Sequence, residues 1–254
     1  MRGNILKTQY SVLKSADCNS DDSVDVRDLV SLKKQCGQNV PTQNTTSGTT
    51  YYVDSSVLFG GDGLSPETPI RTLDAVNALR LNPGDSVLFK RGGTWTGQLC
   101  VAASGTEEAP ITFGAYGSGA LPLLQGEGQF DSVIYGENVS HITVKELEIT
   151  NSGDTTDYHR GIYFCAKSRS SYGISIMDCY VHDVESCVDE IDGGDIHWLG
   201  GIVVRARSED FPMDVSVLEN VTVSDVLIQN NKVEKCTRTG IVAGASTISE
   251  EYGK

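Results

Sequence analysis

The chain has 254 residues, with 20 lysine and arginine residues against 34 aspartate and glutamate residues, and its formal net charge is −14. So acidic a chain is not expected to bind nucleic acid. Hydrophobic residues make up 39% of the sequence, which is enough for a sizeable core, but no apolar run reaches the roughly 20 residues of a membrane helix.

The cysteines and the first residues leave the cellular location open. Seven cysteines cannot pair completely within one chain, so they do not identify a redox compartment. Residues 1–17 contain no continuous apolar stretch of the length that signal peptides use. The protein is therefore either cytoplasmic or lacks its true start in this sequence, and the next motif favours the second interpretation.

Residues 17–28, with the sequence DCNSDDSVDVRD, have the ligand spacing of a calcium loop. Side-chain oxygens fall at loop positions 1, 3, 5, 9 and 12, and position 7 offers a backbone carbonyl. The predicted calcium ligands are Asp17, Asn19, Asp21, Ser23, Asp25 and Asp28. Asp22 stands where glycine is usual, and Asp28 replaces the usual glutamate. The alternative is a solvated acidic turn before a helix.

Three features of this region are aspartate at loop position 12, Val24 at position 8 and the helical segment RDLVSLKKQCG that follows. With these features, residues 1–38 resemble one half of a dockerin module. The resemblance implies a small α-helical, EF-hand-like segment that binds calcium and docks on a cohesin domain of a scaffold protein, with Val26 and Arg27 as contacts. It also implies an extracellular protein. Because dockerins hold two such halves, we expect either a start further upstream or a degenerate module.

Residues 39–50 are polar, rich in threonine and nearly uncharged, which is typical of a linker. The apolar spacing that follows predicts a helix over Thr72–Leu81, ended by Asn82-Pro83-Gly84. Short strands are predicted at Ser86–Lys90, Gln98–Val101, Ile111–Ala115 and Leu121–Leu124, each bounded by glycine, proline or a Ser-Gly pair.

Several short motifs occur along residues 51–126: Tyr51-Tyr52-Val53, Gly61-Asp62-Gly63, Pro83-Gly84-Asp85, Gly92-Gly93-Thr94-Trp95 and Ser104-Gly105-Thr106. In these motifs the segment closely resembles the amino-terminal cap and first coils of right-handed parallel β-helix proteins of the pectate-lyase-like superfamily. The resemblance implies that the helix closes the end of the solenoid, where backbone and apolar core would otherwise be exposed. It says little about the substrate.

Internal repetition further along the chain independently favours the same architecture. One row has offsets 0, 2, 5, 7 and 9, in three predicted copies: Ile142, Val144, Leu147, Ile149 and Asn151; Ile174, Ile176, Cys179, Val181 and Asp183; Val221, Val223, Val226, Ile228 and Asn230. A second row contains Gly161-Ile162-Tyr163-Phe164, Gly201-Ile202-Val203-Val204 and Gly240-Ile241-Val242-Ala243. Stacked copies would bury a continuous core that no single copy could bury. An antiparallel sandwich or propeller is less favoured, because the spacings are unequal and hairpin Asn-Gly turns are absent.

The predicted fold class is therefore all-β. A right-handed parallel β-helix with an amino-terminal capping helix covers residues 51–254 and follows the small dockerin-like segment. The sequence shows no capping segment after the last repeat. We therefore expect further coils, and hence a domain truncated at its carboxyl terminus.

The segment CYVHDVESCVDEIDGGDIHW, residues 179–198, is the densest candidate for chemistry. Carboxylate pairs can act as acid and base or nucleophile on a glycosidic bond, whereas a lyase would use a metal and a basic residue. The candidate catalytic residues are Asp183, Glu185, Asp189, Glu190, Asp192, Asp195 and Arg205. The alternative is that these acidic residues form a solvated turn in an acidic chain.

Aromatic residues supply candidate sugar-stacking platforms, namely Trp95, Trp198, Tyr158, Tyr163 and Tyr172, and we expect one or two of these to be packing residues instead. The sequence as a whole predicts an extracellular, dockerin-bearing β-helix protein that degrades plant-type polysaccharide by lyase or hydrolase chemistry. Two alternatives stay open, a noncatalytic carbohydrate-binding or adhesion solenoid and an inactive fragment of a larger enzyme. The expected cofactor is calcium, and the expected partners are a polysaccharide and a cohesin domain.

Overall fold

The structure is a computed structural model that describes residues 48–153, 157–187, 198–206 and 221–245. The predicted calcium ligands, the dockerin-like segment and most of the linker lie outside the described residues. Within the described part of the chain, no helix has the length and apolar character needed to cross a membrane.

The described fold consists almost entirely of short strands. The first nine are β1 (Thr50–Val53), β2 (Ser86–Lys90), β3 (Thr94–Thr96), β4 (Leu99–Val101), β5 (Ile111–Tyr116), β6 (Leu123–Gln125), β7 (Ser132–Glu137), β8 (Ile142–Lys145) and β9 (Glu148–Asn151). The next nine are β10 (Arg160–Ala166), β11 (Ser171–Tyr172), β12 (Ile174–Met177), β13 (Tyr180–Val184), β14 (Gly200–Ala206), β15 (Val223–Ser224), β16 (Leu227–Gln229), β17 (Lys232–Cys236) and β18 (Thr239–Ala245). A single short helix, α1 (Leu73–Asn77), is present among the described residues.

Hydrogen bonds join these strands into three parallel sheets. The first sheet has the order β1-β2-β5-β8-β12-β16, the second β3-β6-β9-β13-β17 and the third β4-β7-β10-β14-β18. Strands β11 and β15 form a separate parallel pair. Each coil of the chain therefore adds one strand to each sheet, as β8, β9 and β10 do in turn, and the predicted β-helix-like solenoid is confirmed at this level.

Apolar side chains from equivalent positions of successive coils stack inside the solenoid. In the first sheet, Val87 pairs with Phe113, Phe113 with Val144, and Val144 with Ile176. All four side chains are buried. Because side chains alternate between the two faces of a strand, such ladders fill the interior while their neighbours face outward.

The predicted helix is present but shorter than expected. Thr72 caps it by accepting a hydrogen bond from the backbone N–H of Ala75, and Leu73 and Val76 are buried. The helix ends at Asn77 instead of Leu81. Leu79 and Leu81 still pack against the core, so their apolar spacing reflects burial of an irregular segment and not a longer helix.

Predicted strands are present with shifted ends, and several strands escaped prediction. The strand expected at Leu121–Leu124 is Leu123–Gln125, and the one expected at Gln98–Val101 begins at Leu99. Strands β1, β3 and β7 are among those that were not predicted, and β1 begins at the last residue of the predicted linker. Short strands carry too few residues for a period of two to mark their ends.

The glycine row of the repeat is confirmed residue by residue. Ile162 pairs with Ile202, and Ile202 pairs with Ile241. The first two copies of the other row are also confirmed up to offset 7, since Ile142 pairs with Ile174 and Ile149 with Val181.

The predicted third copy was wrong by five residues. Ile176 pairs with Ile228, not with Val223, and Val181 pairs with Val233. The equivalent of Asn151 was also wrong, because a bulge at Asp183 shifts the register and Asn151 pairs with Val184. Alternating aliphatic residues fit the repeat pattern in two registers five residues apart. Only the hydrogen bonds between the strands show which of the two registers is present.

Candidate functional site

The outer face of the third sheet carries an apolar row where a solvated face would carry polar side chains. Tyr135 pairs with Tyr163, Tyr163 with Val203, and Val203 with Val242. Trp198 packs against this row. Every residue of β10 and β14 is buried, so both faces of these two strands are covered.

A groove of about 530 Å³ lies beside this row, lined in part by residues of β7 and β10 and by Gln98, which precedes β4. Its walls combine aromatic rings with amide, hydroxyl and charged groups, a composition suited to a polar ligand with flat apolar faces. The lining residues are Gln98, Gln129, Phe130, Asp131, Ser132, Tyr135, Tyr158, Arg160, Tyr163 and Lys167.

Two tyrosines on neighbouring strands form the floor of the groove. The ring centroids of Tyr135 and Tyr163 are 5.7 Å apart, with an angle of 43° between the ring planes. The guanidinium of Arg160 lies 4.4 Å from the centroid of the Tyr163 ring. Burial raises the pKa of the Tyr163 phenol and raises that of Tyr135 to about 12. Both phenols therefore keep their protons at neutral pH.

Glu137 joins Tyr135 to Lys167 at one end of the groove. The Tyr135 hydroxyl donates to the Glu137 carboxylate, and Lys167 Nζ lies 2.9 Å from the same oxygen, Oε2. The hydrogen bond from Tyr135, followed by that from Lys167, holds the pKa of Glu137 below its ordinary value. The carboxylate is therefore an anion that accepts hydrogen bonds.

The other end of the groove is polar and is also held by hydrogen bonds. Gln98 Nε2 donates to the backbone carbonyl of Ser132 at 2.7 Å. Gln98 Oε1 accepts a hydrogen bond from the Cys100 thiol at 3.4 Å. Asp131 lies just before β7 and is exposed, so a ligand in the groove can reach its carboxylate.

Four of the predicted catalytic carboxylates, Asp189, Glu190, Asp192 and Asp195, lie outside the described residues. The residues that flank this segment are described, and both contact the groove. Cys187 packs with Leu199 against the groove residue Tyr158. The Trp198 carbonyl accepts a hydrogen bond of 2.6 Å from Arg160 Nε.

Asp183 lies on the second sheet, at the β-bulge of β13. It has a positive φ of 47°, and its Oδ2 lies 2.6 Å from His182 Nδ1. The other imidazole nitrogen, Nε2, lies 3.0 Å from Glu148 Oε1 on β9. The hydrogen bond to His182 lowers the pKa of Asp183. These contacts connect two neighbouring coils.

The two other described candidates lie in different surroundings. Glu185 Oε2 accepts a hydrogen bond of 2.9 Å from the backbone N–H of Gly153. Arg205 lies on β14, almost fully buried, with its guanidinium 4.4 Å from the centroid of the Trp198 ring. The structure thus distributes Asp183, Glu185 and Arg205 over the second sheet, the corner that follows it and the third sheet.

The aromatic residues that were predicted as sugar-stacking platforms lie in different parts of the structure. Tyr158 and Tyr163 line the groove, whereas Tyr172 lies on β11 and is 43% exposed. Trp95 is one of the expected packing residues, because this ring is buried against Phe89 and its Nε1 donates to the carbonyl of Arg71. Trp95 is a core residue.

Tyr135, Glu137 and Lys167 were not predicted from the sequence. A signal was present, since the Ile-Tyr pair at 134–135 precedes the equivalent pair at 162–163, and the structure pairs both residues across the sheet. Val133 stands where the later copies have glycine, and this hid the copy. Within the four described ranges, no group of three or more histidine, cysteine, aspartate and glutamate side chains is arranged to hold a metal ion.

No protein-family model matches the chain. It is similar to the lacto-N-biosidase of Bifidobacterium longum subsp. longum, at 28% identity over 273 residues, which covers 82% of this chain and 17% of that protein. It is also similar to two crystal structures of the GH136 lacto-N-biosidase from Eubacterium ramulus. The selenomethionine derivative has 27% identity and a TM-score of 0.61, covering 89% of this chain and 42% of that one. The native protein has 28% identity and a TM-score of 0.62, covering 87% and 40%.

The chain therefore spans less than half the length of each of these relatives.

Proposed function

We propose that this solenoid is part of a secreted carbohydrate-active enzyme, a glycoside hydrolase of the lacto-N-biosidase kind, and that the groove on its third sheet binds the glycan. The observation that carries the proposal is the groove itself, with aromatic rings from Tyr135 and Tyr163 beside amide, hydroxyl and carboxylate groups. Such walls match a sugar, which has apolar ring faces and a rim of hydroxyls. The similarity to two lacto-N-biosidases supports the same class.

The charges in the groove favour a neutral glycan over an acidic one. Lys167 already lies 2.9 Å from Glu137, and Arg160 lies over Tyr163 and donates to the Trp198 carbonyl. Asp131 adds a further negative charge at the opposite end. A uronate carboxylate would have to displace an existing partner from these cations, whereas neutral hydroxyls can bond to the carboxylates directly. This argument favours hydrolase over lyase chemistry.

The two acidic groups of the groove region do not form a glycosidase pair. Asp131 and Glu137 stand before and at the end of β7, and six residues of extended strand span about 20 Å. Glycosidase carboxylates lie about 5–9.5 Å apart. We therefore propose that the acidic segment contributes the pair, from among Asp189, Glu190, Asp192 and Asp195. The contacts of Cys187 and Trp198 with groove residues support this assignment.

The test uses the full chain with p-nitrophenyl lacto-N-bioside for hydrolysis and lacto-N-biose for binding. Neutralising Asp189, Glu190, Asp192 and Asp195 together should lower the hydrolysis rate by about 10²- to 10⁴-fold, since acid–base catalysis is lost, while lacto-N-biose still binds. Unchanged hydrolysis would remove the site assignment. Binding of oligogalacturonate in preference to lacto-N-biose would contradict the neutral-glycan proposal.

The second candidate function is a noncatalytic carbohydrate-binding solenoid. The observation in its favour is that the described residues form a groove without a carboxylate pair at glycosidase spacing. Retention on a glycan without release of product distinguishes it from the enzyme.

The same proposal has three further parts: the calcium loop, the dockerin attachment to a cohesin domain and the extracellular location. They rest on the ligand spacing of Asp17, Asn19, Asp21, Ser23, Asp25 and Asp28 alone. A secreted glycan-degrading enzyme would gain from being held close to other such enzymes on one scaffold, because their local concentration rises.

A further inference from the structure

The groove contains several aromatic rings, and their surroundings differ. Tyr163 is only 5% exposed, and Arg160 lies over its ring. Tyr135 lines the same groove and keeps more open surface. A ring can stack on a sugar only through a face that the sugar can reach. Of the two strand tyrosines, Tyr135 therefore meets this requirement better.

The Tyr135 ring is also held at its tip. Its hydroxyl donates to Glu137, which lies two residues further along β7 on the same outward face. Lys167 Nζ lies 2.9 Å from Glu137 Oε2 and 5.9 Å from the centroid of the Tyr135 ring. Glu137 Oε1 accepts a weaker hydrogen bond of 3.3 Å from Asn138 Nδ2. The carboxylate thus has partners on both oxygens.

Resting on the proposed function of the groove, we infer that Tyr135 is its sugar-stacking platform and that Glu137 and Lys167 are the positioning residues that fix the Tyr135 ring. A tethered ring has less rotational freedom left to lose when a sugar binds. An ordering cost of this kind corresponds to roughly a two- to tenfold effect on Kd.

The experiment measures the Kd of the full chain for lacto-N-biose by calorimetry. Tyr135→Ala should weaken binding by about tenfold or more because the platform is lost. Tyr135→Phe and Glu137→Ala should each weaken it about two- to tenfold, since each breaks the tether and keeps the ring. The double variant should bind no more weakly than the weaker-binding single variant, because both substitutions break the same hydrogen bond.

Glu137→Gln separates positioning from general damage to the fold. Its amide oxygen can still accept from the Tyr135 hydroxyl, so binding should recover to within about twofold of the unsubstituted chain. Tyr180→Ala is the matched control, since this tyrosine lies on β13 of the second sheet outside the groove and also donates to a carboxylate, that of Glu234, and it should leave Kd unchanged. Additive losses in the double variant, or normal binding by Tyr135→Ala, would overturn the inference.

A second readout does not depend on sugar binding. In the chain labelled with 3-fluorotyrosine, the ¹⁹F signal missing from Tyr135→Phe identifies Tyr135, and Glu137→Ala should shift or broaden that signal. An unshifted signal would overturn the tether. If the unsubstituted chain does not bind lacto-N-biose, the proposed function and the platform role both fail, whatever the ¹⁹F spectrum shows about the tether.

Discussion

A single buried amide, that of Asn151, joins two successive coils at the corner between the second and third sheets. Its Oδ1 accepts a hydrogen bond of 3.1 Å from the backbone N–H of Gly128. Its Nδ2 donates to the carbonyls of Phe130 at 2.8 Å and Arg160 at 3.1 Å. Asn151 is fully buried, so water cannot replace any of these bonds without a change in the corner.

We expect Asn151→Ala to lower the free energy of unfolding by about 3 kcal/mol, because it leaves buried backbone groups without partners. Asn151→Asp should be similarly harmful, since a carboxylate keeps the acceptor but cannot donate to the two carbonyls. Urea unfolding followed by circular dichroism measures both effects.

Thr150→Ala, on the same strand, is the control and should change the unfolding free energy by less than about 1 kcal/mol. Equal losses for Asn151→Ala and Thr150→Ala would show that the amide is not the corner's main polar contact.

The sequence identified Asn151 as the last position of a repeat row but could not identify these partners. They come from residues 128, 130 and 160, and no local pattern connects such distant positions. For the same reason the sequence did not identify Trp95 as one of the packing residues. Nothing in its neighbourhood predicts that it packs against Phe89 and bonds to Arg71.

At the scale of the elements, the glycines at the second position of β10 and β14 permit close contact with the second sheet. A Cβ at Gly161 would lie 2.6 Å from Val181 Cγ1, and one at Gly201 would lie 2.6 Å from Val233 Cγ1. Both distances are far below van der Waals contact, so neither position can hold a side chain unless its neighbours move.

Gly161→Ala and Gly201→Ala should each destabilise the solenoid by about 1–3 kcal/mol through overpacking. Gly240→Ala, in the same row, is the matched control, because its Cβ would lie 3.6 Å from Val233 Cγ1. Thermal unfolding of the three variants should show two lowered midpoints and one that is unchanged. If Gly240→Ala also lowered the unfolding midpoint, steric crowding would not explain why Gly161 and Gly201 are glycine.

These glycines also explain which parts of the repeat were predictable. The row beginning with Gly161, Gly201 and Gly240 has one fixed alignment, because glycine marks the same position in all three copies, and this alignment was confirmed. The aliphatic row has no such marker in its third copy. Asn231 occupies the place of Leu147 and Cys179, donates to the Ile176 carbonyl and accepts from the Cys179 N–H. A polar residue at an apolar position hid the true register.

At the scale of the whole molecule, the fold followed from the sequence more readily than the candidate site did. Stacked aliphatic rows require a solenoid, since each coil alone would leave its apolar side exposed. The groove depends instead on which outward side chains from β7 and β10 meet. Strand β7 has Val133 where the later copies of the row have glycine, and this difference hid β7 from the repeat pattern. The acidic segment was predicted as the site because of its composition. Tyr135 and Glu137 instead lie on β7, and Lys167 directly follows β10.

The calcium proposal concerns the first 38 residues and is tested on the full chain. Calcium should produce saturable changes in backbone amide shifts that include residues 17–28. Asp21→Ala and Asp28→Ala should weaken calcium binding by about tenfold or more, since each removes a ligand oxygen from a charged site.

Asp22→Ala is the matched control, because loop position 6 supplies no ligand, and it should bind calcium nearly as well as the unsubstituted chain. Amide shifts that do not respond to calcium would remove the docking module and the scaffold attachment from the proposed function.

The corners between the second and third sheets differ greatly in length while the strands that follow them keep one alignment. The connections are residues 152–159, 185–199 and 237–238, and β10, β14 and β18 nevertheless pair in register. Insertions at these corners thus leave the stacking intact. Such a scaffold can diversify during evolution by changing loop length alone, and the same positions offer sites at which an engineer could graft new recognition loops beside the groove.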